Sequence, residues 1–514
     1  MTSMAPRRVL LMINWSAHYT ELVRAARLLV ESSRYEPVVM FARSYPGFER
    51  DMAASIAEGF VTLGFDGAVV RSAPAVSTAP PAAEAPNDFD AGPSRGLTAR
   101  AKGLLLTIAG YRRDDTLLAA PARTLAIRRR LRHARQVLAR ENISALLLAS
   151  DDVGADTAEW IRAAHGRGAP AIILPFTIVK PGGIADELYV QRAHQLETRS
   201  NRLVARFFPR WAHDHHGRRL LRLPSARVLA KEVTRTAPPD PWQWNSGAAD
   251  AIALESEYAR AHYRSAGFPE QQLVVTGALF SDTLAGAIAS ASQRRAALGE
   301  QFNVDPARPL AVFALPGDLF GALRHQPDFR DYREMIEFVV ATLRALGAEV
   351  LIRPHPCDDL AALDGIEATG ARITDVDTAL LVPLCDVFVT SASATLRWAV
   401  ACGKPALNFD LFRSRFDYLA APGTVAVETK EEFIDAASRW LGDRSALAAA
   451  ATAQKDVSDR WGALDGQCGA RVLALFDRLV REPMAREPMA RERAAAVSNH
   501  TSAVLRSEPH TRHS

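Results

Sequence analysis

Short apolar runs alternate with stretches of helical apolar spacing along most of this chain, and that alternation leaves few folds open. "RVLLMI" is followed by "HYTELVRAARLLVES" and then by "EPVVMFA". Runs of strand length separated by amphipathic helices are the pattern of parallel strands joined by crossover helices. The rhythm continues through "RTLAIRRRLRHARQVLAREN", "ISALLLAS", "DTAEWIRAAHGRG" and "PAIILPF". Residues 180–250 interrupt it with a long helical stretch and then a segment rich in Trp, Pro, His and Arg. It resumes with "DAIALESEYARAHYRSAGFPEQQLVVTG", then runs from "PLAVFALPG" through "EVLIRPHP", "CDVFVTS", "KPALNFD" and "GTVAVET".

A chain of 514 residues exceeds what one hydrophobic core serves. The expected class is therefore α/β with two parallel-sheet domains, 1–283 and 284–480, and a tail at 481–514. Residues 72–95, Pro/Ala-rich and aperiodic, are expected to form a mobile loop. The tail repeats "REPMA" and lacks an apolar face, so disorder is expected there. Ligands of open parallel sheets bind just outside the carboxyl ends of the strands. With two such units, the strand ends are expected to face one cleft.

Bulk properties narrow the function. A formal charge of +4 is too mild to argue for nucleic acid but suits anionic small molecules or an acidic membrane surface. No run approaches the ~18 apolar residues that span a bilayer, and "RRVLLMINWS" reads as a buried first strand, not a leader. Four widely spaced cysteines without a C-x-x-C pair lead us to expect reduced thiols in a cytoplasmic protein.

The stretch "CDVFVTSASATLRWAVACGKPALNFD" is the most informative. The strand "CDVFVTS" passes through "SASAT" into the helix "ATLRWAVACG". Ser391, Ser393 and Thr395 can cap that helix and let an anion approach the backbone; an ordinary capped turn would look the same. "RPHP" follows the strand "EVLI", and its two prolines hold Arg353 and His355 on a stiff extended loop. There they can donate to a diphosphate oxygen as charge grows on a departing nucleotide.

Four pieces, "ESEYARAHYRSAGFPEQQLVVTGALFSD", "LIRPHP", "DVFVTSASAT" and "GKPALNFD", together resemble the GT-B glycosyltransferase superfamily. Its relatives include the non-hydrolysing UDP-N-acetylglucosamine 2-epimerases, the CDP-glycerol glycerophosphotransferases and the capsule polysaccharide transferases. The resemblance implies two Rossmann-like domains and a nucleotide-activated donor held by the C-terminal one; separately, no cofactor and no metal requirement are expected. It implies that Arg353, His355, Ser391, Ser393 and Thr395 line the donor phosphates and that Gly277 marks the hinge side. Asp410 would reach a ribose or sugar hydroxyl, or serve as a strand-end turn residue. Two departures stand out. The helix "LRWAVACG" lacks the glutamate of many retaining members, and "NWSAH" lacks the glycines common in the first loop.

Direct displacement also needs a base for the acceptor hydroxyl. His18, expected in the loop after the first strand, is placed first. Asp151 and Asp152, after "ISALLLAS", follow. Trp211, Trp242 and Trp244 in the insertion at about 205–245 suit either a hydrophobic cap or a membrane interface presenting a lipid-linked acceptor. "HDHH" has no Cys partner at zinc spacing, so no metal is expected. The resulting expectation is a glycosyltransferase of surface polysaccharide or glycoconjugate assembly, cytoplasmic and peripheral to the membrane. Its rivals are an epimerase of the same fold and an inactive binding subunit.

Overall fold

The computed structural model describes residues 6–71, 114, 116–174, 177, 181–318, 320, 328–355, 363–391, 393–411 and 421–481. The expected loop at 72–95 and the tail beyond Arg481 lie outside the described residues. Two compact units form. Unit 1 holds 1–252, 262–274 and 475–514; unit 2 holds 253–261 and 275–474. The helix Leu279–Ala289, through which the expected division at 283 runs, thus belongs whole to unit 2, and the chain from Leu475 onward counts with unit 1.

Unit 1 is built on strands β1 (Arg7–Ile13), β2 (Tyr35–Phe41), β3 (Val61–Leu63), β4 (Ile143–Leu148) and β5 (Ala171–Ile173). A hairpin follows, of β6 (Ala212–His215) and β7 (Arg218–Leu221), then β8 (Ala251–Leu254) and β9 (Leu273–Val275). The main sheet has the order β3-β2-β1-β4-β5-β8-β9, and its registered pairs are parallel. Val9 to Ile13 of β1 are buried throughout, the continuous apolar run of a strand covered on both faces. The order runs outward from β1 to β3, then returns to β4 on the other side of β1. That reversal is the switch point of the sheet.

Unit 2 repeats the plan with β10 (Leu310–Ala314), β11 (Glu349–Arg353), β12 (Arg372–Ile373), β13 (Val387–Thr390), β14 (Ala406–Phe409) and β15 (Thr424–Val427). All its pairs are parallel, in the order β12-β11-β10-β13-β14-β15, so its switch point lies between β10 and β13. Both units are Rossmann-like α/β layers.

The interruption at 180–250 differs from the single helical stretch expected. Helices Pro181–Leu188 and Arg199–Phe207 are separate, and β6 and β7 pair antiparallel around His216 and Gly217. Both turn residues have positive φ, +44° and +74°, as a two-residue hairpin turn requires. Trp211 and Trp242 are buried. The Trp211 indole N–H donates to Glu232 (2.6 Å) and that of Trp242 to the Trp211 carbonyl (3.0 Å). These two indoles form local core and present nothing to a membrane. Among the described residues, no helix is long and apolar enough to cross one.

Candidate functional site

Strand register gathers the C-terminal candidates of unit 2. Ala314 pairs with Arg353 on one side and Thr390 on the other, and Thr390 pairs with Asn408. Arg353, Ala314, Thr390 and Asn408 therefore form one row across four strands. His355, Gly317, Ser391, Ser393, Thr395 and Asp410 all follow within five positions of that row. The row is tied at the switch point itself, where the Thr390 hydroxyl donates to the Ala314 carbonyl (3.0 Å).

Beyond the row the polar groups differ in how well they are served. Ser391 is 3% exposed and its hydroxyl has no hydrogen-bond partner among the described residues. Ser393 accepts the Thr395 N–H (3.3 Å) and its hydroxyl bonds that of Thr395 (2.9 Å). Thr395 has helical backbone angles and makes no side-chain cap to the helix Leu396–Ala401, and the Ser393 hydroxyl serves the Thr395 N–H just before it. Arg353 and His355 are half-buried. The flank of His355 is kept open by Gly317, where a β-carbon would sit 3.5 Å from Nδ1. Asp410 is buried, with its N–H donated to the Val427 carbonyl (2.7 Å), which sets it inside the sheet end and not on an exposed turn.

Sequence reasoning missed an ion pair behind this loop. Arg397, in the otherwise apolar helix after "SASAT", meets Glu255 at 2.6 Å, and both are buried. Arg397 Nε also donates to the Ala394 carbonyl (3.3 Å), so the pair anchors the loop that carries Ser393 and Thr395. The signal was a lone charge in "LRWAVACG". Gly277 also lies in unit 2; its φ is +74° and a β-carbon there would clash with Cys468 Sγ, so close packing and backbone geometry both require glycine.

In unit 1 the residues expected on the acceptor side gather at the other switch point. Met12 pairs with Leu148, so Asn14 and Ser150 follow two residues later on adjacent strands. Both are buried, and Asn14 Oδ1 and the Ser150 hydroxyl have no partner among the described residues. His18 lies in the first turn of the helix Ser16–Glu31, not in the loop before it. Its ring stands edge-on to Trp15 (4.7 Å), and Trp15 lies 6.1 Å from Trp244. His18 is only 1% exposed; burial, then the Arg43 charge, push its pKa down to about 3.

Asp151 is fully buried and accepts the N–H groups of Ser246, Ala248 (2.8 Å) and Ala249 (3.3 Å). It organises the loop before β8. Asp152 accepts the Gly154 N–H (2.8 Å) and pairs with Arg222 (2.6 Å). The Trp244 indole N–H and Ser246 hydroxyl in that loop are buried without partners among the described residues.

No family model matches the chain, and no curated protein does. Solved structures with similarity include Staphylococcus aureus MnaA with UDP, at 12% identity, TM-score 0.48, over 94% of this chain and 99% of that one. UDP-GlcNAc 2-epimerase from Neisseria meningitidis bound to UDP-GlcNAc matches at 10% identity, TM-score 0.49, over 92% and 100%. A glycosyltransferase from Rickettsia africae matches at 8% identity, TM-score 0.45, over 94% and 100%. At such distances the likeness assigns no role to any residue here.

Proposed function

We propose that the chain is a GT-B-type transferase using a nucleotide-activated sugar, whose phosphates bind unit 2 at Arg353, His355, Ser391, Ser393 and Thr395. The observation that carries this reading is the row at the β10–β13 switch point, from whose edge these residues follow. Donors fixed on packed strand ends are preorganised for the charge that develops on a departing nucleoside diphosphate. The Ser391 hydroxyl, buried without a partner among the described residues, gains an acceptor when a phosphate oxygen arrives.

The acceptor-side base is assigned to His18 in preference to Asp151, whose carboxylate is already engaged by three backbone N–H groups. A pKa near 3 keeps the His18 imidazole neutral and able to take a proton, though weakly basic. An anionic ligand nearby would raise that basicity. Asn14, Ser150 and Ser246 supply polar groups for a hydroxylated acceptor, polysaccharide or lipid-linked, in surface polysaccharide or glycoconjugate assembly. The transfer is proposed to need no metal. The burial of both base candidates favours one rival, a binding subunit that holds nucleotide without turning it over.

The test is thermal protection by UDP-, GDP-, CDP- and CMP-sugars, then calorimetry and turnover with whichever binds. His355→Ala should weaken donor binding and lower turnover about 10²–10³-fold. His18→Ala should keep donor affinity and lose about 10²–10⁴ in turnover. Unchanged affinity in His355→Ala overturns the phosphate site. Tight binding with no turnover by wild type selects the binding subunit.

A further inference from the structure

The hairpin β6–β7 and the helix Pro181–Leu188 bring together three metal-ligating side chains that the proposed reaction does not use. His215 Nε2 lies 2.8 Å from Asp186 Oδ1, and His216 Nε2 lies 3.9 Å from the same oxygen. The two imidazole centroids are 4.1 Å apart, and one ligand atom from each of the three residues lies within 4.8 Å of the others. A tetrahedral ion holding N and O ligands at about 2.0–2.2 Å separates them by roughly 3.3 Å. Small side-chain rotations close the difference.

Neighbouring residues in a strand point to opposite faces, so adjacent histidines rarely converge. Here His216 is the first turn residue, at φ +44°, a left-handed conformation in which His is enriched. The turn swings its imidazole to the side on which His215 meets Asp186. The Tyr189 ring stands near-perpendicular to both imidazoles (6.2 and 6.3 Å), and its hydroxyl donates to the His216 carbonyl (3.3 Å). The site is open to solvent ions, since the His216 and Asp186 side chains are 68% and 49% exposed. His213 takes no part, because its ring packs on Trp242 at 4.8 Å.

We propose that Asp186, His215 and His216 bind one divalent transition ion, best matched by Zn²⁺, with water completing its shell. Two imidazoles and one carboxylate suit Zn²⁺, Co²⁺ or Ni²⁺, whereas Mg²⁺ and Ca²⁺ take oxygen shells. The ion replaces the hydrogen between His215 and Asp186 and pins the helix Pro181–Leu188 to the hairpin. Cysteine spacing could not reveal it, because the carboxylate comes from 29 positions upstream of His215.

The experiment titrates the chelator-treated full chain with Co²⁺, followed by visible absorption, then displaces it with Zn²⁺ in a calorimeter. One equivalent should bind, Zn²⁺ should displace Co²⁺, and Mg²⁺ should not compete. His216→Asn and Asp186→Asn should each weaken binding about tenfold or more. His216 is exposed and Asn adopts its positive φ, and Asn at 186 can still accept the His215 hydrogen bond, so both variants should keep the metal-free melting temperature. Absence of saturable binding by the wild type, or full affinity in both variants, overturns the proposal.

Discussion

Ser391 gives the sharpest test, because its two expected effects have opposite signs. The hydroxyl is buried at the end of β13 with no hydrogen-bond partner among the described residues. A buried polar group in that state costs the fold about 1–3 kcal/mol. Ser391→Ala removes the group and almost no volume, so the ligand-free protein should gain stability, by about 1 kcal/mol where water has partly served the hydroxyl. Unit 2 spans about two hundred residues, and for a domain of that size the gain raises its melting temperature by about 2–4 °C. Nucleotide binding should weaken, because a hydrogen bond to a charged phosphate contributes about 1.5–3 kcal/mol. That corresponds to a loss of roughly 10- to 150-fold in affinity. Calorimetry reads the ligand-free stability, and titration of the same variant with a nucleoside diphosphate reads the affinity. The double variant with Ser393→Ala should lose at least as much binding. A variant that is less stable, and binds nucleotide as well as wild type, would show that Ser391 serves packing alone, and the site assignment falls with it.

Three further outcomes follow from the geometry. Glu255→Ala leaves Arg397 without its 2.6 Å buried counter-charge and should cost about 3–5 kcal/mol in denaturant unfolding, far more than an exposed pair would. Asp151→Ala strips the acceptor from the Ser246, Ala248 and Ala249 N–H groups and should cost about 3 kcal/mol or more; a fully stable variant would free Asp151 for the base role. His18 binds its proton in the unfolded chain near pH 6.5 but in the fold only near pH 3. Stability should therefore fall by several kcal/mol as pH drops from 6.5 to about 3, and His18→Gln should flatten that slope in acid titrations followed by circular dichroism.

What the sequence made legible follows from how local each signal is. Parallel strands and crossover helices announce themselves in runs such as "VLLMI" and "ISALLL", because strands covered on both faces are apolar throughout. The strand-end residues were readable for the same reason: once "EVLIR" and "VFVT" are strands, Arg353 and Ser391 must stand at their ends. The β6–β7 hairpin escaped because its turn, His216-Gly217, puts histidine where Asn or Asp would have signalled it. Partners distant in sequence leave no local trace. Glu255 finds Arg397 and Asp186 finds His215 only in space. The same holds for Lys231, buried beside Glu159 at 3.4 Å, and for Arg130 of the helix Ala120–Arg140, which lies against Glu159 at the same distance.

Three of the buried polar groups without partners among the described residues stand beside the two switch points. Elsewhere in a parallel sheet the loop after a strand end can turn over its neighbour and bring backbone groups within reach of a buried hydroxyl or amide. At the switch point the connections leave toward opposite faces, so the loops part and that supply is missing. Asn14 and Ser150 follow β1 and β4, on the two sides of one such point; Ser391 follows β13, beside β10, at the other. Strand order thus places these oxygens, which lack partners among the described residues, where loops part, and an apolar residue at each position would relieve the cost. The chain carries polar residues there instead. A fold that accepts this cost at the reversals of its two main sheets is one in which water or a ligand completes the hydrogen bonds, and a ligand that does so binds more tightly for meeting groups without partners among the described residues.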